Sequence, residues 1–177
     1  MASYTISMDD QPSEADIHLL IRNLVAYNDT QAEKENWQRL AIFIRDDRGE
    51  MVGGLYGYTH WGWLFISHLW VAEALRGQGY GTELVARAEH EAARRGCRRA
   101  YLDTYDFQAL GFYQKRGYEV FGLLEDFPTG YSAILLTEAS AGTSGRLGSA
   151  SIAPPNNSLD RSGGSVFRKM NGAARVE

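Results

Sequence analysis

Leu69-Trp70-Val71-Ala72-Glu73-Ala74-Leu75-Arg76-Gly77-Gln78-Gly79-Tyr80-Gly81 joins an apolar run to a strongly periodic one. The apolar run ends at Val71, glycines recur at 77, 79 and 81, and from Thr82 to Arg95 the residues Leu84, Val85, Ala88 and Ala92 repeat at helical spacing. Strand, glycine turn and helix in that order gather several backbone N–H groups, unhindered by Cβ, into one concavity. The start of the helix adds partial positive charge. An anion, above all a phosphate or pyrophosphate, fits such a place. Two nucleotide motifs are excluded. A Walker A loop needs Gly-Lys-Ser/Thr, which is absent, and a Rossmann G-x-G-x-x-G needs a third glycine where Thr82 stands. A bare G-x-G is equally at home in a plain strand-to-helix loop.

Working outward, Trp63–Val71 reads as a long apolar strand, preceded by strands Leu40–Arg45 and Met51–Thr59 around the turn Asp46-Asp47-Arg48-Gly49. Tyr4–Met8 alternates and reads as a first strand. Ser13 is a plausible N-cap with Asp16 at the capping-box position, and Ile17, Leu20, Ile21, Leu24 and Val25 form a helical stripe. The polar stretch from Asn28 to Gln38 reads as a second short helix. Beyond the glycine turn, Gly96 closes the helix. A strand Ala100–Thr104, a short helix Phe107–Arg116 ending at Gly117, and strands Tyr118–Leu123 and Tyr131–Thr137 complete the pattern. The order β-α-α-β-β-β-α-β-α-β-β predicts a mixed α/β sheet with helices on both sides.

The 177 residues suffice for one domain with a real core. One cysteine excludes an intrachain disulfide and a multi-thiolate zinc site, and no metal site is expected. No run of 18 apolar residues is present, and Met1–Asp10 lacks a basic-then-apolar signal pattern, so a cytoplasmic setting without a membrane is expected. The net charge of −4 argues against nucleic acid as the main partner. That charge averages two unlike parts: residues 1–137 carry 13 Lys+Arg and 19 Asp+Glu, net −6, whereas 138–177 carry 5 and 3, net +2. Twenty of the 21 aromatics precede residue 138, and 21 of the last 40 residues are Gly, Ser, Ala or Pro. Such a composition cannot offset its ordering entropy by burial. The expected organisation is a folded domain over 1–138 and a disordered Gly/Ser/Ala-rich tail over 139–177.

The glycine turn also carries a resemblance. Arg76-x-x-Gly79-x-Gly81 resembles the Q/R-x-x-G-x-G/A signature of the GNAT (Gcn5-related) N-acetyltransferases. Asp106-x-x-Ala109-x-x-Phe112-Tyr113-x-Lys115-x-Gly117-Tyr118 is similar to the family's second motif, N-x-x-A-x-x-F-Y-x-K-x-G-F. The resemblance covers about residues 4–137 and looks closest to a bacterial subgroup of small members. It implies the GNAT acyl-CoA N-acyltransferase fold, a mixed and mostly antiparallel sheet with splayed central strands. It implies an enzyme that passes the acetyl group of acetyl-CoA directly to a primary amine of a small molecule. Homodimers are common in the family.

By the same resemblance, the CoA pyrophosphate would sit on the amides of Gly77, Gln78, Gly79, Gly81 and Thr82 beside Arg76. The pantetheine arm would pair with the backbone edge of Trp70 and Val71, as an added strand does. A backbone N–H near Leu69–Val71 would stabilise charge on the thioester oxygen. Asp106, where the family usually has Asn, would accept a hydrogen bond from the pantetheine amide. Tyr113 would give a proton to the departing CoA thiolate; read without the motif, Phe112-Tyr113 packs a short helix on the sheet.

The base that frees the amine is open. The strand before the turn carries no acid; His68 has a suitable unperturbed pKa near 6.5 and shares a face with Trp70, while a structural role for a lone histidine stands beside it. Ser67 is placed to hold a water, Glu73 lies beyond the strand, and Asp103 lies on the neighbouring one. Without such a carboxylate, a catalytically silent module that binds an acyl-CoA or another small ligand is the alternative. Tyr56, Tyr58, Trp61, Trp63 and Phe65 read either as packing or as the wall of an acceptor site or dimer surface. The acidic domain suits a cationic amine such as a polyamine, an aminoglycoside-like antibiotic or a lysine side chain.

Overall fold

The computed structural model describes residues 3–138; the expected tail, 139–177, lies outside the described residues. The elements are α1 (Glu14–Gln31), β1 (Gln38–Arg45), β2 (Met51–His60), β3 (Trp63–Val71), α2 (Tyr80–Arg94), β4 (Arg99–Tyr105), α3 (Leu110–Lys115), β5 (Tyr118–Leu124) and β6 (Ala133–Glu138). A single 3₁₀ turn, Glu73–Leu75, bridges β3 and the glycine turn. The six strands form one sheet in the order β1-β2-β3-β4-β6-β5. All neighbours are antiparallel except β3 and β4. This is the mixed, mostly antiparallel sheet that the resemblance implies. The expected helix on the second face is not found among the described residues, since α1 buries none of its residues and those of α2 and α3 share one core.

The periodicity of α2 explains its docking. Leu84, Val85, Ala88 and Ala92 are its buried residues. They meet Leu40, Leu55, Leu64, Ile66, Ala100, Leu102 and Leu136 from one face of the sheet. Small Ala88 and Ala92 bring the helix axis close, and each larger side chain buried there contributes about 1.5–3 kcal/mol. Arg95 fastens the far end: its Nε donates to the Glu91 carboxylate at 2.7 Å and its Nη1 to the Arg39 carbonyl at 3.0 Å. Arg94 and Arg95 thus hold a helix terminus, while Arg99 lies over the Trp63 ring at 5.7 Å.

Two expectations at the N-terminal end are corrected. The alternation of Tyr4–Met8 does not produce a strand, because nothing among the described residues lies beside it to complete a ladder; Tyr4, Ile6 and Met8 stand in solvent. No second helix spans Asn28–Gln38. Asn28 to Gln31 contain neither Gly nor Pro, so α1 continues through them and ends where the Ala32 N–H returns to the Asn28 carbonyl. The Ser13 cap is as expected: its Oγ accepts the Asp16 N–H at 3.1 Å and donates to the Asp16 carboxylate at 2.6 Å.

Candidate active site

Register makes the site. β3 pairs with β4 only from Trp63↔Arg99 to Ile66↔Leu102, after which β3 runs on to Val71 and β4 to Tyr105 without meeting. The strands part at Ser67, where the β2–β3 ladder skips one residue between Tyr56 and Gly57. This is a β-bulge, which bends a strand and increases its twist. The Ser67 Oγ closes it by donating to the Tyr56 carbonyl at 3.0 Å. Gly57 permits it, since a Cβ there would lie 2.1 Å from the Phe65 carbonyl oxygen.

The gap opens into a cleft of about 960 Å³. Its floor is Ile66, one wall is the end of β3, the other is Asp103 and Thr104 of β4 with Phe112 and Tyr113 of α3, and its mouth is the glycine turn. Ala72 donates its N–H to Val52 of β2. Alternation along the ladder then turns the N–H groups of Leu69 and Val71 into the gap and that of Trp70 toward β2. Trp70 therefore meets the cleft with its indole, not with the backbone edge that the resemblance implied.

At the mouth, Gly77 and Gly79 have φ of +76° and +89°, the left-handed region that glycine enters without strain. None of the six N–H groups from Gly77 to Thr82 donates a hydrogen bond among the described residues. Successive unpartnered amides at the start of the 15-residue α2 form an anion cradle. Arg76 stands beside them, with its Nε donating to the Val71 carbonyl at 3.1 Å. This donor set fits a pyrophosphate.

Tyr113 lines the inner end of the cleft and is 7% exposed. Burial, with the nearby Asp103 carboxylate adding to it, pushes its phenol up to about 12, so the group stays a proton donor at neutral pH. Across the cleft, His68 takes a 2.9 Å hydrogen bond between its Nδ1 and the Ser67 Oγ. Burial raises the Asp103 carboxyl above its ordinary range, and the His68 charge acts in the opposite direction. His68, Asp103 and Tyr113 thus share one cleft. Asp103, the acid that the sequence offered on the neighbouring strand, is brought to the cleft by the register of the parallel strands β3 and β4.

Two expected residues stand elsewhere. Asp106 does not line the cleft: its carboxylate accepts the Ser132 N–H at 2.9 Å, and its own N–H returns to the Ser132 carbonyl. The Ser132 amide takes up the carboxylate, and the strand-like exchange with Ser132 fixes Asp106 in the loop beyond β4. Gln78 offers only its backbone, its side chain donating to the Ala74 carbonyl at 2.8 Å. Trp61 is no acceptor wall either; its indole N–H binds the Glu33 carbonyl at 2.9 Å. Tyr58, Phe65 and Tyr101 pack on the sheet face opposite α2, with Phe65 to Tyr101 at 4.7 Å between ring centroids.

One supporting group escapes sequence reading altogether. Glu89 of α2 accepts from Arg116 at 2.9 Å and from the Tyr118 hydroxyl at 3.1 Å, while Arg116 also donates to the Thr82 carbonyl. This buried knot ties the first turn of α2 to the end of α3, and so sets the cradle relative to Tyr113.

Splayed parallel strands with an anion cradle at the mouth of the gap define an acyltransferase of the acyl-CoA-binding type. The model of the acetyltransferase (GNAT) family matches residues 8–118, and the chain belongs to that family. It is 41% identical over 121 residues to an acetyltransferase of Agrobacterium fabrum, covering 68% of this chain and 88% of the relative. It is 42% identical over 99 residues to the blasticidin-S acetyltransferase of Streptomyces morookaense, covering 55% and 73%. The crystal structure of an acetyltransferase from Agrobacterium tumefaciens superposes with a TM-score of 0.71 at 36% identity, over 76% of this chain and 98% of that one. The chain is an acetyltransferase, and acetyl-CoA is the family's co-substrate. Among the described residues no helix is long and apolar enough to cross a membrane.

Proposed function

We propose that this protein transfers the acetyl group of acetyl-CoA to a primary amine of a small cationic molecule in the cleft between β3 and β4. The observation that carries the reading is the convergence of the free amides of residues 77–82, the buried phenol of Tyr113 and the His68–Asp103 pair on one cleft. Acetyl-CoA supplies an activated thioester. The amides of Gly77 to Thr82 and Arg76 hold its pyrophosphate. The inward amides of Leu69 and Val71 bind the peptide-like arm, and one of them polarises the thioester oxygen.

Tyr113 then donates its phenolic proton to the departing sulfur, a step for which it must be protonated beforehand. His68 takes the proton from the amine, so that a neutral nitrogen attacks. Ser67 holds the His68 ring, and the Asp103 carboxylate offsets the positive charge that arrives with the proton. The Asp106 carboxylate is assigned to holding the loop at Ser132, not the pantetheine. Asp103 also supplies the anion that a cationic acceptor needs. Similarity to an enzyme named for blasticidin S puts that antibiotic first among the acceptors to try. Thiol release from acetyl-CoA, followed with blasticidin S, spermidine, an aminoglycoside and a lysine peptide, tests the reading. Release that depends on one of the small amines supports it; release with the peptide alone, or with none, contradicts it.

A further inference from the structure

Among the described residues, part of one sheet face is left bare, beside the portion where Tyr58 and Phe65 are buried. Opposite α2, the residues Ala41 and Phe43 of β1, Tyr56 of β2, and His68 and Trp70 of β3 line up across three strands. Phe43 and Trp70 are each about half exposed, at 52% and 51%. This is the outer side of the proposed acceptor cleft. A second apolar surface is equally uncovered. Helix α1 buries none of its residues although it carries the stripe Ile17, Leu20, Ile21, Leu24 and Val25, and Leu20 is 66% exposed. Ahead of it Tyr4, Ile6 and Met8 alternate along an extended segment, each more than nine-tenths exposed. Contiguous apolar surface of this kind in one chain marks an interface.

α1 has no slack to cover its own sheet. Only Ala32 separates its last residue from Glu33, whose carbonyl is held by the Trp61 indole N–H at 2.9 Å. The Asn36 side chain accepts the Trp61 N–H at 3.0 Å, and the Glu35 carboxylate lies 3.2 Å from His60 Nδ1. The connection is thus fastened to the β2–β3 turn, and the helix buries none of its residues against its own sheet. Charge matches the two surfaces: Arg39 and Arg45 flank Ala41 and Phe43, with the Arg45 guanidinium 5.6 Å from the Phe43 ring. Residues 9–31 carry Asp9, Asp10, Glu14, Asp16 and Asp29 against Arg22. β1 is also an edge strand, with backbone groups open to an added strand.

We propose that two copies of this chain exchange residues 4–31. The α1 helix of each lies over the bare sheet face of the other, and Tyr4–Met8 runs along the other's β1 edge. Each acceptor cleft is then roofed by the second copy, while the cradle for CoA belongs to one chain. The proposal rests on the acceptor side assigned above, and CoA binding separates the two. Light scattering with size exclusion on the full chain should give twice the 19.8 kDa chain mass. Leu20→Asp with Leu24→Asp should return the mass of one chain and keep thermal stabilisation by CoA. Single variants Leu20→Cys and Phe43→Cys, mixed and treated with a bismaleimide, should yield a mixed covalent dimer; the native Cys97 is buried. A monomeric wild type, a dimer unmoved by the helix substitutions, or no mixed cross-link overturns the exchange. Loss of CoA stabilisation in the wild type overturns instead the reading on which it rests.

Discussion

Asp103 carries the charge balance of the cleft. Burial holds its folded pKa above the ordinary value near 3.8, so the native state binds this proton more tightly than the unfolded chain. Its contribution to stability is therefore fully present below that ordinary value and is lost as pH rises through the folded one. Asp103→Asn removes the dependence: the Tm difference, variant minus wild type, should grow from acid toward neutral pH, and a constant difference would refute the assignment. Gly57 is the second decisive residue. Adding a Cβ 2.1 Å from the Phe65 carbonyl oxygen must displace the β2–β3 ladder at the bulge. Gly57→Ala should cost about 1–3 kcal/mol in a denaturant titration, with unchanged folding of β5 and β6. Asp103 was legible as an acid on the neighbouring strand but not in its burial, and Gly57 is not readable as special in sequence. Asp103 gains its meaning from the strand beside it, and Gly57 from a bulge that alternation alone does not disclose. The glycine turn, by contrast, was legible from local spacing, and Tyr113 was singled out by the motif resemblance.

Elements were legible where their partners are local. α2 follows from a periodic face and a glycine turn, and β3, β5 and β6 lie close to where apolar runs and turns put them. α1 was legible as a helix but not in extent, since no breaker separates Val25 from Gln31. The segment Tyr4–Met8 has strand alternation and no strand, because an extended run needs a neighbour that the described residues do not provide. The knot of Glu89, Arg116 and Tyr118 joins elements 27 and 29 residues apart, so no window of sequence shows it. Arg116 and Glu89 have side chains only 11% and 12% exposed. Removing one partner of such a pair leaves a buried charge, so Glu89→Ala should destabilise by about 3–5 kcal/mol in chemical unfolding. A loss below about 0.5 kcal/mol, the range of an exposed pair, would show that the knot does not bind α2 to α3.

At the scale of the molecule, the fold serves to pull two parallel strands apart over a helix-borne cradle. One face of the sheet is sealed by α2, whose side chains complete a core running from Leu40 to Leu136. The other face is open around His68 and Trp70, while Tyr58 and Phe65 are buried on it. On the reading proposed above, the cleft between β3 and β4 joins the CoA cradle to the acceptor on that face. The central claim is that this passage is a catalytic site with Tyr113 as its acid. The most direct measurement compares wild type and Tyr113→Phe for turnover of acetyl-CoA with the accepted amine, alongside CoA affinity by calorimetry. The account predicts a kcat lower by about 10²–10⁴-fold with CoA affinity unchanged, the usual worth of a positioned acid. Equal kcat in the two proteins would contradict it.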